Sequence, residues 1–200
     1  MRKMNNSLRN IRVILLSVLY MLAGPVLSEP LSIETVLDRT TISPPSKVGF
    51  REVRHNQMLK DDLVMTGYLE YLEAGSLRKV VETPFEEAYL IRSDRIEVDR
   101  QGVTRTLSLR KSRTLRTMLG GVEAILAGEA EHLASIFDYE LSGVDEDWSL
   151  RLLPRSRKMA KQMTSLTVTG DGDSITAIRF DLKDGEWHNM ELVRVPDSVL

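Results

Sequence analysis

The 200-residue sequence contains no cysteine, and that absence excludes disulfide frameworks, Cys-ligated zinc, iron–sulfur clusters, thiol catalysis and an acylated amino-terminal cysteine together. It has only three histidines, His55, His132 and His188, too far apart for an HExxH or HxH pair, so neither metal ligation nor His-based catalysis is expected. A charge excess is missing as well. The 27 Lys and Arg stand against 29 Asp and Glu, which removes the simplest electrostatic case for nucleic-acid binding. Neither a GxSxG nucleophile elbow nor a GxxxxGK[ST] phosphate loop occurs. The densest carboxylates, Glu86-Glu87 and Asp145-Glu146-Asp147, lack the stacking aromatics of a sugar-cleaving cleft and read as solvated turns. No catalytic residue, metal or cofactor is expected.

What is present starts with an address. Arg2, Lys3, Arg9 and Arg12 precede the apolar run Val13 to Ala23, and no acidic residue occurs before Glu29. The run is shorter than the roughly 20 residues needed to span a bilayer as an untilted helix. A basic region followed by a short apolar one is the pattern of an export signal, with cleavage expected after Val26-Leu27-Ser28. Removing residues 1–28 takes away four basic side chains and no acidic one, leaving 172 residues at a net charge of −6. The expectation is a periplasmic protein whose residues 29–200 form one domain, large enough to fold around a single core without disulfides.

The mature chain opens on a short helix, Leu31 to Thr40, with Ser32 as N-cap and Ile33, Val36 and Leu37 on one face. From Val48 onward, short alternating segments separated by turn residues predict an antiparallel sheet. The expected strands are 48–54, 63–72, 77–83, 86–92, 95–100 and 103–109, then 139–142, 148–153, 165–170, 174–182 and 187–194. Between the two sets the period changes. Leu115, Met118, Leu119, Val122, Ile125 and Leu126 recur at three- and four-residue spacing, and Leu133, Ile136 and Phe137 continue the stripe. This predicts a helical insertion of about 25 residues, capped by Ser112, kinked at Gly120-Gly121 and stopped at Gly128. Two basic stretches flank it: Arg105, Arg110, Lys111, Arg113 and Arg116 at its entry, and Arg155, Arg157, Lys158 and Lys161 after Pro154. In an acidic exported protein the second stretch is a candidate contact for anionic lipid or an acidic docking partner.

The arrangement resembles the LolA-type periplasmic lipoprotein carriers over about residues 31–194. The residues that carry the resemblance are Phe50-Arg51-Glu52, Gly67-Tyr68-Leu69-Glu70-Tyr71, Pro84, the Leu115 to Leu126 stripe and Trp148-Ser149-Leu150-Arg151-Leu152-Leu153-Pro154. The resemblance implies a mainly β fold with a helical lid: an incomplete antiparallel β-barrel of about eleven strands whose apolar cavity shields acyl chains in transit. It implies acylated cargo, lipoprotein or lipid, and as partners an inner-membrane release complex and an outer-membrane acceptor. On the sheet side Met65, Leu69, Tyr71, Val80, Leu90, Ile96 and Val98 are the candidate cavity residues; on the lid side they are Met118, Leu119, Val122 and Leu126. The chain departs from the carriers before the third strand, where Glu73-Ala74-Gly75-Ser76 replaces a basic residue and Arg78 and Val80 replace aromatics. A divergent relative is therefore expected, with a lipoprotein or another envelope amphiphile as its cargo. The alternative is an envelope adaptor that uses the same fold to bind protein.

Overall fold

The computed structural model describes residues 31–73 and 75–193; the expected export segment, residues 1–28, lies outside them. Helix α1 (Ile33–Thr40) begins where the Ser32 hydroxyl accepts the Thr35 N–H at 3.1 Å, and it buries Ile33, Val36, Leu37 and Thr40 along one side. Six strands follow: β1 (Ser46–His55), β2 (Leu63–Glu73), β3 (Ser76–Thr83), β4 (Glu87–Arg92), β5 (Arg95–Arg100) and β6 (Val103–Ser108). After a 3₁₀ turn come α2 (Arg113–Ala127) and α3 (Ala130–Ile136). The chain then runs through β7 (Phe137–Val144), β8 (Asp147–Pro154), the single turn α4 (Arg157–Ala160), β9 (Met163–Asp171), β10 (Ser174–Leu182) and β11 (Trp187–Val193).

All eleven strands form one antiparallel sheet in the order β6-β5-β4-β3-β2-β1-β11-β10-β9-β8-β7. Each half is a meander, and the two halves join where β1 pairs with β11. The outer strands β6 and β7 are not paired with each other, so the sheet stays open, as in an incomplete barrel. Because the chain leaves one edge and re-enters at the other, the α2–α3 insertion has to cross the sheet. The face on which it packs is the inner face.

The main core fills one half of that face. Trp148, Leu150 and Leu152 of β8 and Leu166 and Val168 of β9 meet Val36 and Leu37 of α1, Ala124 and Ile125 of α2, and Leu133 of α3. A smaller cluster, Phe50, Met65 and Val81, lies in the other half, with Leu69, Tyr89, Met190 and Leu192 packed against it.

Two expectations about the insertion need correction. Ser112 does cap α2, its hydroxyl accepting the Leu115 N–H at 3.3 Å, but the helix runs unbroken through Gly120-Gly121. Gly121 serves a close approach: a Cβ there would stand 2.6 Å from Cε2 of Phe137. The break comes at Gly128, whose φ of 74° ends α2 in the left-handed conformation that glycine adopts without strain. Phe137 belongs to β7, not to the helical stripe.

Gly67 in β2 is equally constrained. It sits beside an irregularity in the β2–β3 register, and a Cβ there would fall on the Val80 carbonyl, 2.9 Å from its carbon. The obstacle is backbone, which has no rotamer to move. Gly67→Ala should therefore destabilise the fold by roughly 1–3 kcal/mol or more, read as a lower urea midpoint. An unchanged midpoint would mean that the β2–β3 spacing gives way freely.

Candidate functional site

Helix α2 has two flanks with different fates. Ala124 and Ile125, with Met118 beside them, pack into the main core. Leu119, Val122 and Leu126 turn to the other half of the sheet and face Tyr71, Leu77 and Ile91 across a cavity of about 190 Å³. Leu77 stands directly opposite Tyr71 of β2 and Ile91 of β4, so the three side chains lie abreast on the inner face. Gly75, Ser76, Arg92, Ser93, Arg116, Gly120 and Glu123 complete the lining. The walls are aliphatic and the rim is polar, which suits an extended hydrocarbon chain with a polar end.

Further along the same strands the inner face becomes charged. Lys79 of β3 contacts Glu52 of β1, and Arg54 donates to the same carboxylate at 2.8 Å. Glu87 of β4 takes a hydrogen bond from the Tyr89 hydroxyl at 2.6 Å and an ion pair from Arg100 at 2.7 Å. Burial acts to raise the Glu52 carboxyl, but Lys79 and Arg54 outweigh it and hold the group below the ordinary carboxylate value. Burial lowers Lys79, and Glu52 reverses that only in part. Burial and the bond to Glu87 push Tyr89 up to about 12. His188 of β11, 3.9 Å from Glu52, is lowered by burial and then by the charge of Arg54. Glu87 is thus buried and paired, where a solvated turn was expected.

Four of the expected cavity residues line the cavity: Tyr71, Leu119, Val122 and Leu126. Met65 and Leu69 belong to the smaller apolar cluster, and Met118 packs against the main core. Ile96 pairs with Ile91 on the inner face, while Val98 opens onto a separate groove with Arg100, Val103, Arg105 and Leu107. Val80 and Leu90 are on the opposite face: Val80 pairs with Tyr68, and Leu90 with Arg78, which bridges to Glu70 at 3.4 Å. Placing Val80 inside, as the sequence expectation did, turns β3 over. The carboxylate of Glu52 draws Lys79 inward instead, and irregularities in the β2–β3 register shift the pairing. Leu77 and Ile91, missed for the same reason, follow once Lys79 is placed inside.

The second basic stretch does not form one patch. Arg155 pairs with Asp138 at 2.8 Å and shares a groove with Lys158 and Arg113, while Arg157 and Lys161 are exposed outside that groove.

The family described as outer membrane lipoprotein carrier protein LolA-like matches residues 26–194. The chain belongs to this family. No curated protein sequence matches this LolA-like chain. Among solved structures, a LolA superfamily protein from Nitrosomonas europaea is similar over 85% of this chain and 97% of its own, at 12% identity and a TM-score of 0.42. Lipoprotein LppX from Mycobacterium tuberculosis is similar over 84% of this chain and 96% of its own, at 12% identity and a TM-score of 0.43. The MucA/MucB complex of Pseudomonas aeruginosa contains a chain similar over 81% of this one at 10% identity and a TM-score of 0.45, and the match spans 56% of that chain.

The charged inner-face cluster of the LolA-like fold has two measurable consequences. Glu52→Gln leaves the Lys79 ammonium buried without its carboxylate and should cost about 3 kcal/mol or more in a urea titration, with Lys79→Met in the same chain recovering most of the loss. The folded value of His188 lies below 6.5, so its contribution to stability is complete above pH 6.5 and is lost as the pH falls toward that folded value. Glu52, also lowered, contributes above pH 4.5 and loses its share as the pH falls through its folded value. The thermal midpoint should therefore drop from pH 7.5 to pH 5.5, and His188→Gln should flatten that interval while leaving the steeper loss below pH 4.5. An equal drop in the variant would remove His188 from the account.

Proposed function

We propose that this LolA-like chain shields an acyl chain of a lipoprotein or another envelope lipid while it is moved through the periplasm. The observation that carries the reading is the cavity between Tyr71, Leu77 and Ile91 on the sheet and Leu119, Val122 and Leu126 on α2. Transfer of hydrocarbon from water into such a space yields roughly 0.8 kcal/mol per methylene. A cavity of about 190 Å³ is smaller than the roughly 300–1,000 Å³ of drug-sized ligand pockets, so cargo enters as the flank of α2 that bears Leu119, Val122 and Leu126 lifts from the sheet. In this reading residues 1–28 direct export and are cleaved, and residues 29–200 act as one soluble carrier domain. It loads at an inner-membrane release complex and unloads at an outer-membrane acceptor. The family supports the carrier role in general terms; the cargo and the partners are part of the proposal.

Filling the cavity tests the carrier against the adaptor. The mature protein, purified without detergent, should yield lipid on extraction and should bind a fluorescent fatty acid. Ile91→Trp, which fills the space from the sheet side, should weaken that probe at least tenfold with the thermal transition retained. Absence of any lipid or probe binding by the wild-type chain would end the carrier reading, and a protein partner retained by Ile91→Trp would favour the adaptor.

A further inference from the structure

The near-balance of charge over the whole chain conceals a segregation. Residues 100–122 and 148–170 contain eleven Lys and Arg and no Asp or Glu, whereas the rest of 29–200 carries twelve basic side chains against 29 acidic ones. Eight of the eleven are Arg110, Lys111, Arg113 and Arg116, around the start of α2, and Arg155, Arg157, Lys158 and Lys161, around α4. The fold brings the two sets together, since Arg113, Arg155 and Lys158 line one groove of about 420 Å³. All eight residues are exposed, and among the described residues Arg155 is the only one of them in an ion pair, with Asp138 at 2.8 Å. Asp94, whose carbonyl accepts the Leu109 N–H next to Arg110, has its carboxylate held by Arg95 at 3.0 Å. Unpaired like charges gathered on one side repel one another, and an opposite charge brought to them relieves that cost.

We propose that this basic side docks the protein on an anionic phospholipid surface. The docking goes beyond the carrier reading and stands whether or not the cavity takes an acyl chain. Residues 109–122 and 149–170 contain no aromatic side chain and no large apolar side chain exposed to solvent. The aromatic anchors that dominate a protein interface are therefore missing, and nothing here inserts into hydrocarbon. What remains is a set of long, flexible cations. Lipid headgroups diffuse within the leaflet, so a phosphate can come to each cation, whereas the carboxylates of a folded partner would have to match all of them in one fixed register. Arg116 is exposed and also lines the cavity under α2, so a lipid surface met by this side lies at the cavity's rim.

Vesicle co-sedimentation of the mature chain tests the docking, with vesicles of phosphatidylcholine alone and of a roughly 7:3 mixture with phosphatidylglycerol. Wild type should bind the mixed vesicles and not the neutral ones at about 0.05 M NaCl, and should be released at about 0.5 M. Each Lys or Arg near such a surface contributes about fivefold, so Arg113→Gln/Lys158→Gln, one residue from each set, should weaken binding about 25-fold with the thermal transition retained. Arg51→Gln/Arg78→Gln makes the same change in net charge on the other face of the sheet and should bind within about twofold of wild type. Equal weakening by the two pairs would reduce the effect to net charge and overturn the basic side as the docking surface. Binding that survives the higher salt, or no binding to the mixed vesicles, overturns it as well. Capture of poly-L-glutamate by a chain that ignores the vesicles would give the groove to an acidic protein instead.

Discussion

The fold depends on the one-sided anchoring of α2. The flank bearing Ala124 and Ile125 is locked into a core that includes Trp148, Leu150, Leu152 and Leu133, each nearly inaccessible to solvent. The Trp148 indole lies where a Cβ on Gly170 would stand, and its N–H donates to the Gly172 carbonyl at 3.1 Å. The helix is also tied to the segment after α1, where the Ile42 N–H donates to the Leu126 carbonyl at 3.0 Å. Core side chains of this size each stabilise a fold by a few kcal/mol, so these contacts fix where α2 crosses the sheet. The other flank inherits its position. Leu119, Val122 and Leu126 stand over Tyr71, Leu77 and Ile91 because the core holds the helix there, and the sheet beneath them fails to fill the space.

The charged cluster limits the same space from the other direction. Glu52, Lys79, Arg54, Glu87, Tyr89 and Arg100 occupy inner-face positions that a plain core would give to aliphatic residues. Buried ion pairs are poor stabilisers, since desolvation consumes most of their Coulombic gain. Their effect here is spatial. On β4 the inner-face residues run Glu87, Tyr89, Ile91, so the face passes from ionic through amphipathic to aliphatic in about 13 Å of strand. A hydrocarbon chain is favoured at one end of that gradient and excluded at the other.

Much of this was legible in the sequence, and what was not has identifiable physical causes. Strand alternation, turn residues and the change of period at Leu115 place all eleven strands and the insertion, and the caps at Ser32 and Ser112 are where a hydroxyl before an apolar stripe predicts them. Tyr71, Leu119, Val122 and Leu126 could be read as cavity residues because helical and strand periodicity both point them inward. The parity of β3 could not. A strand with Arg78-Lys79-Val80-Val81 reads as charge outside, and only the carboxylate of Glu52, 27 residues earlier, makes Lys79 an inner residue. The partner strand β4 then inverts with it, which carries Leu90 outward and Ile91 inward. Gly121 failed for a related reason: a glycine pair in a helix signals a break locally, whereas the aromatic ring that requires the missing Cβ comes from Phe137, beyond the helix end.

The small cavity and the aliphatic lid follow from one requirement. Hydrophobic contact is non-directional, so Leu119, Val122 and Leu126 lose little when sheet contacts are exchanged for contacts with a hydrocarbon chain, and a lid of this composition opens at low cost once a chain is there to replace the sheet. A large permanent void would cost about 24 cal/mol for every cubic ångström left empty, which a domain of ordinary stability tolerates poorly. A partly collapsed space with a lid anchored on one flank avoids that cost in the empty protein and still yields to hydrocarbon. Aliphatic walls, however, discriminate weakly between one chain and another. Directional chemistry at this end of the sheet is confined to the polar side chains beside those walls, Arg116 and Glu123 of α2 among them.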